Sequence, residues 1–310
     1  MSRPAVAVED LTRRFGDVTA LDDVTFAVEP GELFGFVGPD GGGKTTLFRI
    51  LVTLLLPDSG RAGVLGLDVV RDLWQIRRQV GYMPGRFSLY PDLSVAENLE
   101  FFASVFGTTV AAGMQTIAPI YDQLAPFSDR RAGALSGGMK QKLALSCALV
   151  HHPAILFLDE PTTGVDAVSR REFWDLLGGL RAGGLTIVVS TPYMDEAIRC
   201  DRVALIQHGR LLGVDAPGAI AGSFAGDVFE VDAPERYRAL LALRRYEHAD
   251  SVHLFGEHLH YTDRRNADWR LIEAEVAAYL DGEGLTTEVR RTAPTIEDTF
   301  IQRMGAPEAA

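Results

Sequence analysis

The chain has 310 residues, of which 47% are hydrophobic, and a formal net charge of −12 at pH 7. This length and composition predict a globular protein with room for two domains, or for one large domain with an appendage. The negative charge argues against a surface that coats nucleic acid, so no nucleic-acid partner is expected. Two cysteines are too few for a disulfide framework and fit a reducing cytoplasm. No apolar run approaches the roughly 20 residues that cross a bilayer, and the N-terminus lacks the pattern of a signal peptide.

The first part of the chain reads as β structure that leads into a phosphate-binding loop. Short apolar runs alternate with turn signals over residues 5–37, and the last run, residues 32–37, is predicted to be a strand. Residues 38–45 then match the pattern G-x-x-x-x-G-K-[ST], and a helix is predicted to follow. The backbone N–H groups of such a loop, and of the helix N-terminus behind it, converge on phosphate groups. The sequence therefore predicts that the chain binds a nucleoside triphosphate.

The loop positions have separate predicted roles. Lys44 is expected to pair with the β- and γ-phosphates, and the Thr45 hydroxyl is expected to ligate magnesium. Contacts from the loop backbone and the first helical turn are expected at Gly38, Pro39, Asp40, Gly41, Gly42, Gly43 and Thr46. A phosphate loop alone fits many unrelated ATPases and GTPases, so the remaining motifs must distinguish between them.

The rest of the chain predicts an α/β core with two additions. Apolar residues recur at helical spacing over about residues 73–149, which predicts an inserted helical subdomain. Residues 154–158 and 186–190 are continuous apolar runs, typical of strands buried on both faces of a parallel sheet, and residues 169–181 form the predicted crossover helix between them. Predicted strands at 227–232 and within 251–262, with a helix at 267–280, indicate a small α+β domain. We therefore expect domains at 1–217 and 218–310.

Three further motifs follow the phosphate loop in order. They are Leu135–Gln141, which contains Ser136, Gly137 and Gly138; an apolar run that ends in Asp159, Glu160 and Pro161; and Gly164-Val165-Asp166. Their order and spacing over about residues 5–217 resemble the signature motif, the Walker B strand and the D-loop of ABC ATPases. The resemblance implies a P-loop α/β fold with a RecA-like parallel-sheet core, an N-terminal antiparallel β subdomain and the helical subdomain.

The resemblance also implies roles for these residues, with ATP and Mg²⁺ as cofactors. Asp159 would position magnesium, and Glu160 beside it would act as general base toward the attacking water. Ser136, Gly137 and Gly138 open a helix, so their polar groups would hold the γ-phosphate of a nucleotide bound on a second ATPase subunit. Phe15 resembles the aromatic residue that stacks on adenine.

Within this family the chain is most similar to the ATPase subunits of drug and antibiotic exporters. The Q-loop region and the first part of the helical subdomain in that group resemble residues 80–84 and 87–99, of which the second range begins at Phe87. The stretch that follows the switch histidine resembles residues 193–197, and the closing segment resembles residues 295–301. The resemblance implies a subunit that powers a separate membrane permease by ATP-driven dimerisation. Such a subunit would be peripheral at the cytoplasmic face of the cell membrane.

Two positions depart from the family pattern. Gly85 stands where the family has glutamine, and Pro192 stands where it has histidine. Neither residue offers a side-chain hydrogen-bond donor, and proline also lacks the backbone N–H. We therefore expect a degenerate Walker site that binds ATP but turns it over slowly, in a heterodimer whose other site is completed by Ser136–Gly138 of this chain. A homodimer of slower but working ATPases stays open.

Three other readings are weaker. A soluble ABC ATPase that acts on ribosomes or DNA without a permease would need a basic surface, tandem ATPase domains or long coiled-coil inserts, and the sequence has none of these. The intact Lys44, Asp159 and Glu160 weigh against a regulatory module that binds ATP without hydrolysis, although the losses at 85 and 192 leave it open. Four histidines between positions 248 and 260 suggest a metal site, of which His258 and His260 share a face of a predicted strand. No carboxylate or cysteine stands at ligand spacing in the sequence, so no metal site is predicted there.

Overall fold

The chain divides by its internal contacts into two units, residues 1–217 and 218–310. A computed structural model describes residues 3–85 and 89–305. Residues 86–88 of the Q-loop region, among them Phe87, lie outside the described residues.

The first unit alternates strands and helices. Its strands are β1 (Val6–Phe15), β2 (Val18–Val28), β3 (Leu33–Val37), β4 (Ser59–Val64), β5 (Leu67–Asp68), β6 (Val80–Met83), β7 (Ile155–Asp159), β8 (Thr186–Thr191), β9 (Arg202–Gln207) and β10 (Arg210–Asp215). Its helices are α1 (Lys44–Leu51), α2 (Leu73–Arg77), α3 (Val95–Val105), α4 (Val110–Tyr121), α5 (Gly137–Leu149), α6 (Ala167–Ala182) and α7 (Met194–Ala197), and α8 (Pro217–Gly222) follows at the boundary between the units. Two short 3-10 helices, Ala125–Phe127 and Ala132–Ala134, connect α4 to α5.

Two sheets organise these strands. An antiparallel sheet has the order β2-β1-β4-β5, and a larger sheet has the order β10-β9-β3-β8-β7-β6. In the larger sheet β9, β3, β8, β7 and β6 run parallel, and β10 pairs antiparallel at the edge. The carboxyl ends of β3, β7 and β8 therefore meet at one edge, which is where ligands bind in open parallel sheets.

The core between the sheets explains the continuous apolar runs of the sequence. Every residue of β3, β7 and β8 is buried, as expected for strands covered on both faces. An aromatic series of edge and tilted contacts runs through this core from Phe26 through Phe34, Phe36 and Phe48 to Phe157. This packing fixes the strand ends on which the functional loops are mounted.

The segment predicted to be a helical subdomain contains one exception. Val80–Met83 forms β6, which pairs in parallel with β7 and extends the core sheet. Helical spacing alone could not separate these residues from the helices around them, because a short apolar run fits either structure. Most of the remaining segment is helical, and Ser94 begins α3 with a capping box to Glu97.

The second unit is an antiparallel sheet with three helices in addition to α8 among its described residues. Its strands are β11 (Val228–Asp232), β12 (Ala249–Phe255), β13 (His258–Asp263) and β14 (Glu288–Thr292), in the order β12-β13-β11-β14, and its helices are α9 (Arg236–Arg245), α10 (Trp269–Gly282) and α11 (Ile296–Gly305). Its core includes Phe229, Tyr261, Leu243 and Val276. In neither unit do the described residues include a helix that is long and apolar enough to span a membrane.

Candidate nucleotide-binding site

The phosphate loop connects the buried strand β3 to helix α1. Gly43 caps α1 in a left-handed conformation, with φ of 105°, and a Cβ at this position would lie 2.5 Å from the carbonyl oxygen of Ala20. Both the dihedral angle and the close approach require glycine. The loop therefore enters the helix so that its backbone N–H groups line the helix N-terminus, where phosphates bind in proteins of this kind.

Lys44 is held inside this loop by hydrogen bonds and an ion pair. Its side chain is 3% exposed, and its Nζ donates to the carbonyl oxygens of Gly38 at 2.8 Å and Pro39 at 3.0 Å. The same Nζ forms an ion pair with Oε1 of Glu160 at 3.1 Å. These contacts satisfy the buried ammonium group and hold it at the loop opening. They also bring together the two residues that the sequence predicts to be catalytic.

Thr45 and Asp159 lie together, as the predicted magnesium site requires. The Thr45 hydroxyl donates to Oδ1 of Asp159 at 3.2 Å, and the Ser190 hydroxyl donates to the same oxygen at 2.7 Å. Asp159 is 2% exposed. Burial and the neighbouring Asp159 raise the pKa of Tyr82 to about 12, so this phenol stays protonated beside the carboxylate. Hydroxyl and carboxylate oxygens are the ligand types that Mg²⁺ prefers, so the residues fit this ion.

Glu160 stands directly after β7 in an unusual backbone conformation. Its φ is 51°, which is uncommon for a residue with a side chain and is typical of constrained functional positions. Its N–H donates both to the backbone oxygen of Ser190, at 3.1 Å, and to the Ser190 hydroxyl, at 3.0 Å. These hydrogen bonds anchor the turn at β8 and direct the carboxylate toward Lys44, while the side chain remains 22% exposed.

The signature motif and the D-loop lie beside each other. Ser136 caps α5, and its hydroxyl accepts from the N–H of Met139 at 3.3 Å. Asp166 caps α6 in the same manner, and hydrogen bonds from Ser169 and Val168 hold the pKa of its carboxyl below the usual range. A cavity of about 200 Å³ is lined by Gly85, Gly137, Gly164 and neighbouring residues. The Q-loop position, the signature helix and the D-loop thus share one surface.

Phe15 ends β1 with its ring 47% exposed. The Arg13 guanidinium lies 4.7 Å from the ring centroid and is fixed by an ion pair to Asp58 at 2.6 Å. An exposed aromatic ring with one face supported by a cation leaves its other surface available for stacking. The geometry is compatible with the predicted adenine contact.

The two departures from the family pattern have different structural settings. A Cβ at Gly85 would lie 2.9 Å from the carbonyl oxygen of Asp159, so a side chain here requires the loop to move away from β7. Pro192 follows the last residue of β8, and the N–H of Tyr193 donates to the Thr191 hydroxyl at 3.0 Å. The loop after β8 is therefore ordered by its own hydrogen bonds, without the side chain that the family pattern supplies.

The first unit also has a groove lined in part by exposed apolar side chains, which the sequence analysis did not identify. It has a volume of about 510 Å³ and is lined by residues that include Leu54, Trp74, Tyr82, Val105, Phe106 and Ala144. Trp74 is 68% exposed, and Leu54 and Val105 are more than half exposed. We call this surface the docking groove. Its residues are too far apart in the sequence for periodicity to reveal that they meet.

The histidines of the second unit have partners that the sequence did not indicate. One ligand atom from each of Glu230, Asp232 and His258 lies within 4.8 Å of the others, because β11 and β13 are neighbours. These carboxylates do not stand at ligand spacing in the sequence and approach His258 only through the pairing of the two strands. Arg290 forms ion pairs with both Glu230 and Asp232, so these carboxylates already have a cation. His260 instead pairs with Asp298 in the interior.

The comparisons with known proteins agree with the fold and this site. A family model described as ABC transporter matches residues 21–163. The Nod factor export ATP-binding protein I of Burkholderia orbicola (strain AU 1054) is 35% identical over 309 residues, which cover 98% of this chain and 98% of that protein. The chain therefore belongs to the family of ABC transporter ATP-binding proteins, and its first unit is an ABC ATPase domain that binds ATP.

A second sequence relative and one solved structure show how much of the chain is similar to other ABC ATPases. The probable multidrug ABC transporter ATP-binding protein YbhF of Escherichia coli (strain K12) is 42% identical over 224 residues, which cover 72% of this chain but only 39% of that protein. Among solved structures, the dimeric, post-hydrolysis ATP-binding cassette MJ0796 bound to ADP and Pi covers 68% of this chain and 98% of its own, with a TM-score of 0.61 and 25% identity. The predicted ABC ATPase fold is thus confirmed.

Proposed function

We propose that the chain is the ATPase subunit of an export complex and powers a separate membrane permease. The names of its relatives support export, since one is a probable multidrug protein and another a Nod factor export protein. They favour a drug-like or antibiotic-like small molecule as the exported substrate. The subunit would act at the cytoplasmic face of the membrane, held there by the permease.

The docking groove supports the permease partner. Trp74, Leu54 and Val105 are exposed and form an apolar surface. Exposed apolar surfaces of this kind mark sites where another protein binds. A groove of about 510 Å³ between helices accepts the apolar face of a short amphipathic helix. A permease segment of this kind would connect the groove to the nucleotide site, because Tyr82 lines the groove and lies beside Asp159.

We further propose that this chain contributes a degenerate nucleotide site to a heterodimer. The observation that supports this proposal is the contrast between a complete phosphate loop and the loss of the family's glutamine and histidine at positions 85 and 192. Lys44, Thr45 and Asp159 have the geometry to hold the nucleotide, whereas Gly85 has no side chain and lies so close to Asp159 that a side chain here would require the loop to move. Pro192 supplies no donor to the γ-phosphate. The loss of one positioned hydrogen-bond donor from an oxyanion hole lowers the catalytic rate by a factor of about 10²–10³, and a loss of this order is expected here.

The residues of the site would act in a defined order when ATP binds. The ammonium of Lys44 exchanges its ion pair with Glu160 for the β- and γ-phosphates, which frees the Glu160 carboxylate to accept a proton from water. Thr45 and Asp159 would hold Mg²⁺, which supplies charge neutralisation to the phosphates when bound. Ser136 and the N-terminus of α5 would meet the γ-phosphate of the nucleotide held by the second subunit.

This proposal is tested on the complex recovered from membranes with the tagged chain. Ser136→Arg blocks the nucleotide of the second subunit, whereas Glu160→Gln removes only the general base of this chain. We expect Ser136→Arg to lower steady-state ATPase activity at least tenfold more than Glu160→Gln. Equal effects would contradict the asymmetry, and full transporter rates from the isolated chain, abolished by Glu160→Gln, would show that its own site is competent. Recovery without any membrane protein would contradict the transport function.

A further inference from the structure

Glu196 is a buried carboxylate in α7, in the stretch 193–197 that follows Pro192. It is 3% exposed, and each of its oxygens accepts a hydrogen bond from a threonine. Oε1 accepts from the Thr162 hydroxyl at 2.8 Å, and Oε2 accepts from the Thr191 hydroxyl at 2.5 Å. A buried charge is tolerated only when its hydrogen bonds are satisfied, so these contacts define where the carboxylate sits.

The groups around Glu196 come from three different functional segments. Thr162 lies in the short stretch between the Walker B residues and the D-loop, and Thr191 is the last residue of β8, directly before Pro192. Arg170 of α6 places its Nε 3.9 Å from Oε1, and its guanidinium carbon lies 4.8 Å from the centroid of the Tyr193 ring. One carboxylate therefore joins the D-loop stretch, the end of β8 and the first turn of α6.

The first turn of α6 extends this connection to the signature motif. Ser169, the neighbour of Arg170, packs directly against Gly138 of the signature motif. Asp166 caps the same turn through the N–H groups of Val168 and Ser169. Movement of Thr162 or Arg170 would thus displace the D-loop and the surface on which the signature motif rests.

We propose that Glu196 is a positioning residue that holds the D-loop stretch, residues 162–166, against the end of β8. Through this contact it sets the geometry of the half-site that the chain offers to the second subunit, a role that rests on the heterodimer proposed above. Glu196 has no contact with the nucleotide in this scheme.

The first test uses the isolated full-length chain and hydrogen exchange. Glu196→Ala removes both acceptors, so exchange of the backbone amides of residues 162–170, 191 and 193 should become at least tenfold faster. Glu196→Gln keeps the shape and can hydrogen-bond both threonines, so it should restore most of the protection. Asp175→Asn is the matched control, because Asp175 is an exposed carboxylate of α6 that pairs with Arg199 at 3.0 Å. Unchanged exchange in Glu196→Ala would overturn the proposal.

The second test measures ATPase activity of the complex recovered from membranes. Glu196→Ala should lower kcat about tenfold and leave KM for ATP within twofold, while Glu196→Gln stays within threefold of the unmodified complex. A loss in Glu196→Ala no greater than in Asp175→Asn, or an equal loss in Glu196→Gln, would overturn the positioning role. Ser136→Arg separates the two proposals: if it has no effect, the heterodimer fails, and if it silences the complex while Glu196→Ala does not, only the role of Glu196 fails.

Discussion

The buried hydrogen-bonded pair of His260 and Asp298 permits a quantitative prediction about the second unit. The Asp298 side chain is 5% exposed, and its oxygens accept from Nδ1 of His260 at 2.9 Å and from the backbone and hydroxyl of Thr295, both at 2.7 Å. The pair ties the start of α11 to β13, the second strand of the sheet. Asp298→Ala should therefore release α11 and leave the His260 ring without its buried partner.

The magnitude follows from these contacts. Hydrogen bonds to a charged group contribute about 1.5–3 kcal/mol each, and desolvation of the buried carboxylate offsets part of their sum. Breaking a buried pair by removing one partner costs about 3–5 kcal/mol. We expect Asp298→Ala to lower the opening free energy of β13 by about 3 kcal/mol. Asp268→Ala removes an exposed capping carboxylate of α10, whose Oδ1 accepts from the Arg270 N–H at 2.8 Å, and should cost about 1 kcal/mol.

Native-state hydrogen exchange of the full-length chain measures both variants. The amides of residues 258–263 report opening of β13 separately from unfolding of the first unit, which a single global transition would not. The reasoning is refuted if Asp298→Ala destabilises β13 no more than Asp268→Ala does. In that case the pair of His260 and Asp298 would contribute no more than an exposed cap.

Three further predictions follow from the same structure. Burial alone would raise the pKa of Asp298, but hydrogen bonds from His260 and Thr295 outweigh it and lower the pKa. The stabilisation by Asp298 is therefore complete above the unfolded carboxyl pKa of about 4 and is lost as pH falls through the lower folded pKa. The hydrogen-exchange rates of β13 in the unmodified chain and in Asp298→Ala should consequently converge in acid. Lys44→Ala removes the cation of the phosphate loop and should weaken ATP binding by about 100-fold in calorimetry, and unchanged affinity would contradict its role. Gly43→Ala places a Cβ 2.5 Å from the Ala20 oxygen at a φ of 105°, so it should abolish ATP binding and lower the melting temperature, and a variant with unaltered melting would show that the loop can relax.

Sequence reasoning worked best where chemistry is local. The phosphate loop, the signature motif and the acidic pair at 159 and 160 are contiguous, so their residue types and spacing indicate the chemistry directly. Continuous apolar runs likewise predicted β3, β7 and β8, because strands covered on both faces cannot alternate. The four apolar residues of β6 were assigned to a helical region, since their run is too short to reveal its period.

The contacts that the sequence could not reveal join residues far apart in the chain. Thr162 and Glu196 are 34 positions apart, and neither belongs to a pattern that predicts the other. Glu230 and Asp232 reach His258 only because β11 and β13 pair in one register. The docking groove is likewise assembled from residues of α2, α3, α5, β6 and the loops near them, so no single stretch of sequence predicts it.

The sequence by itself determined the ATP-binding character of this protein, its family and the absence of the family's glutamine and histidine at positions 85 and 192. These properties depend on which residues stand at fixed spacing within short segments, so they can be read without knowing how distant parts of the chain pack. Only the tertiary structure decided that Gly85 lies against Asp159, that Glu160 pairs with Lys44, and that Glu196 joins the D-loop stretch, the end of β8 and the first turn of α6. Parallel strands bring distant chain positions to one edge of a sheet, and that juxtaposition depends on register and packing that local residue types do not encode.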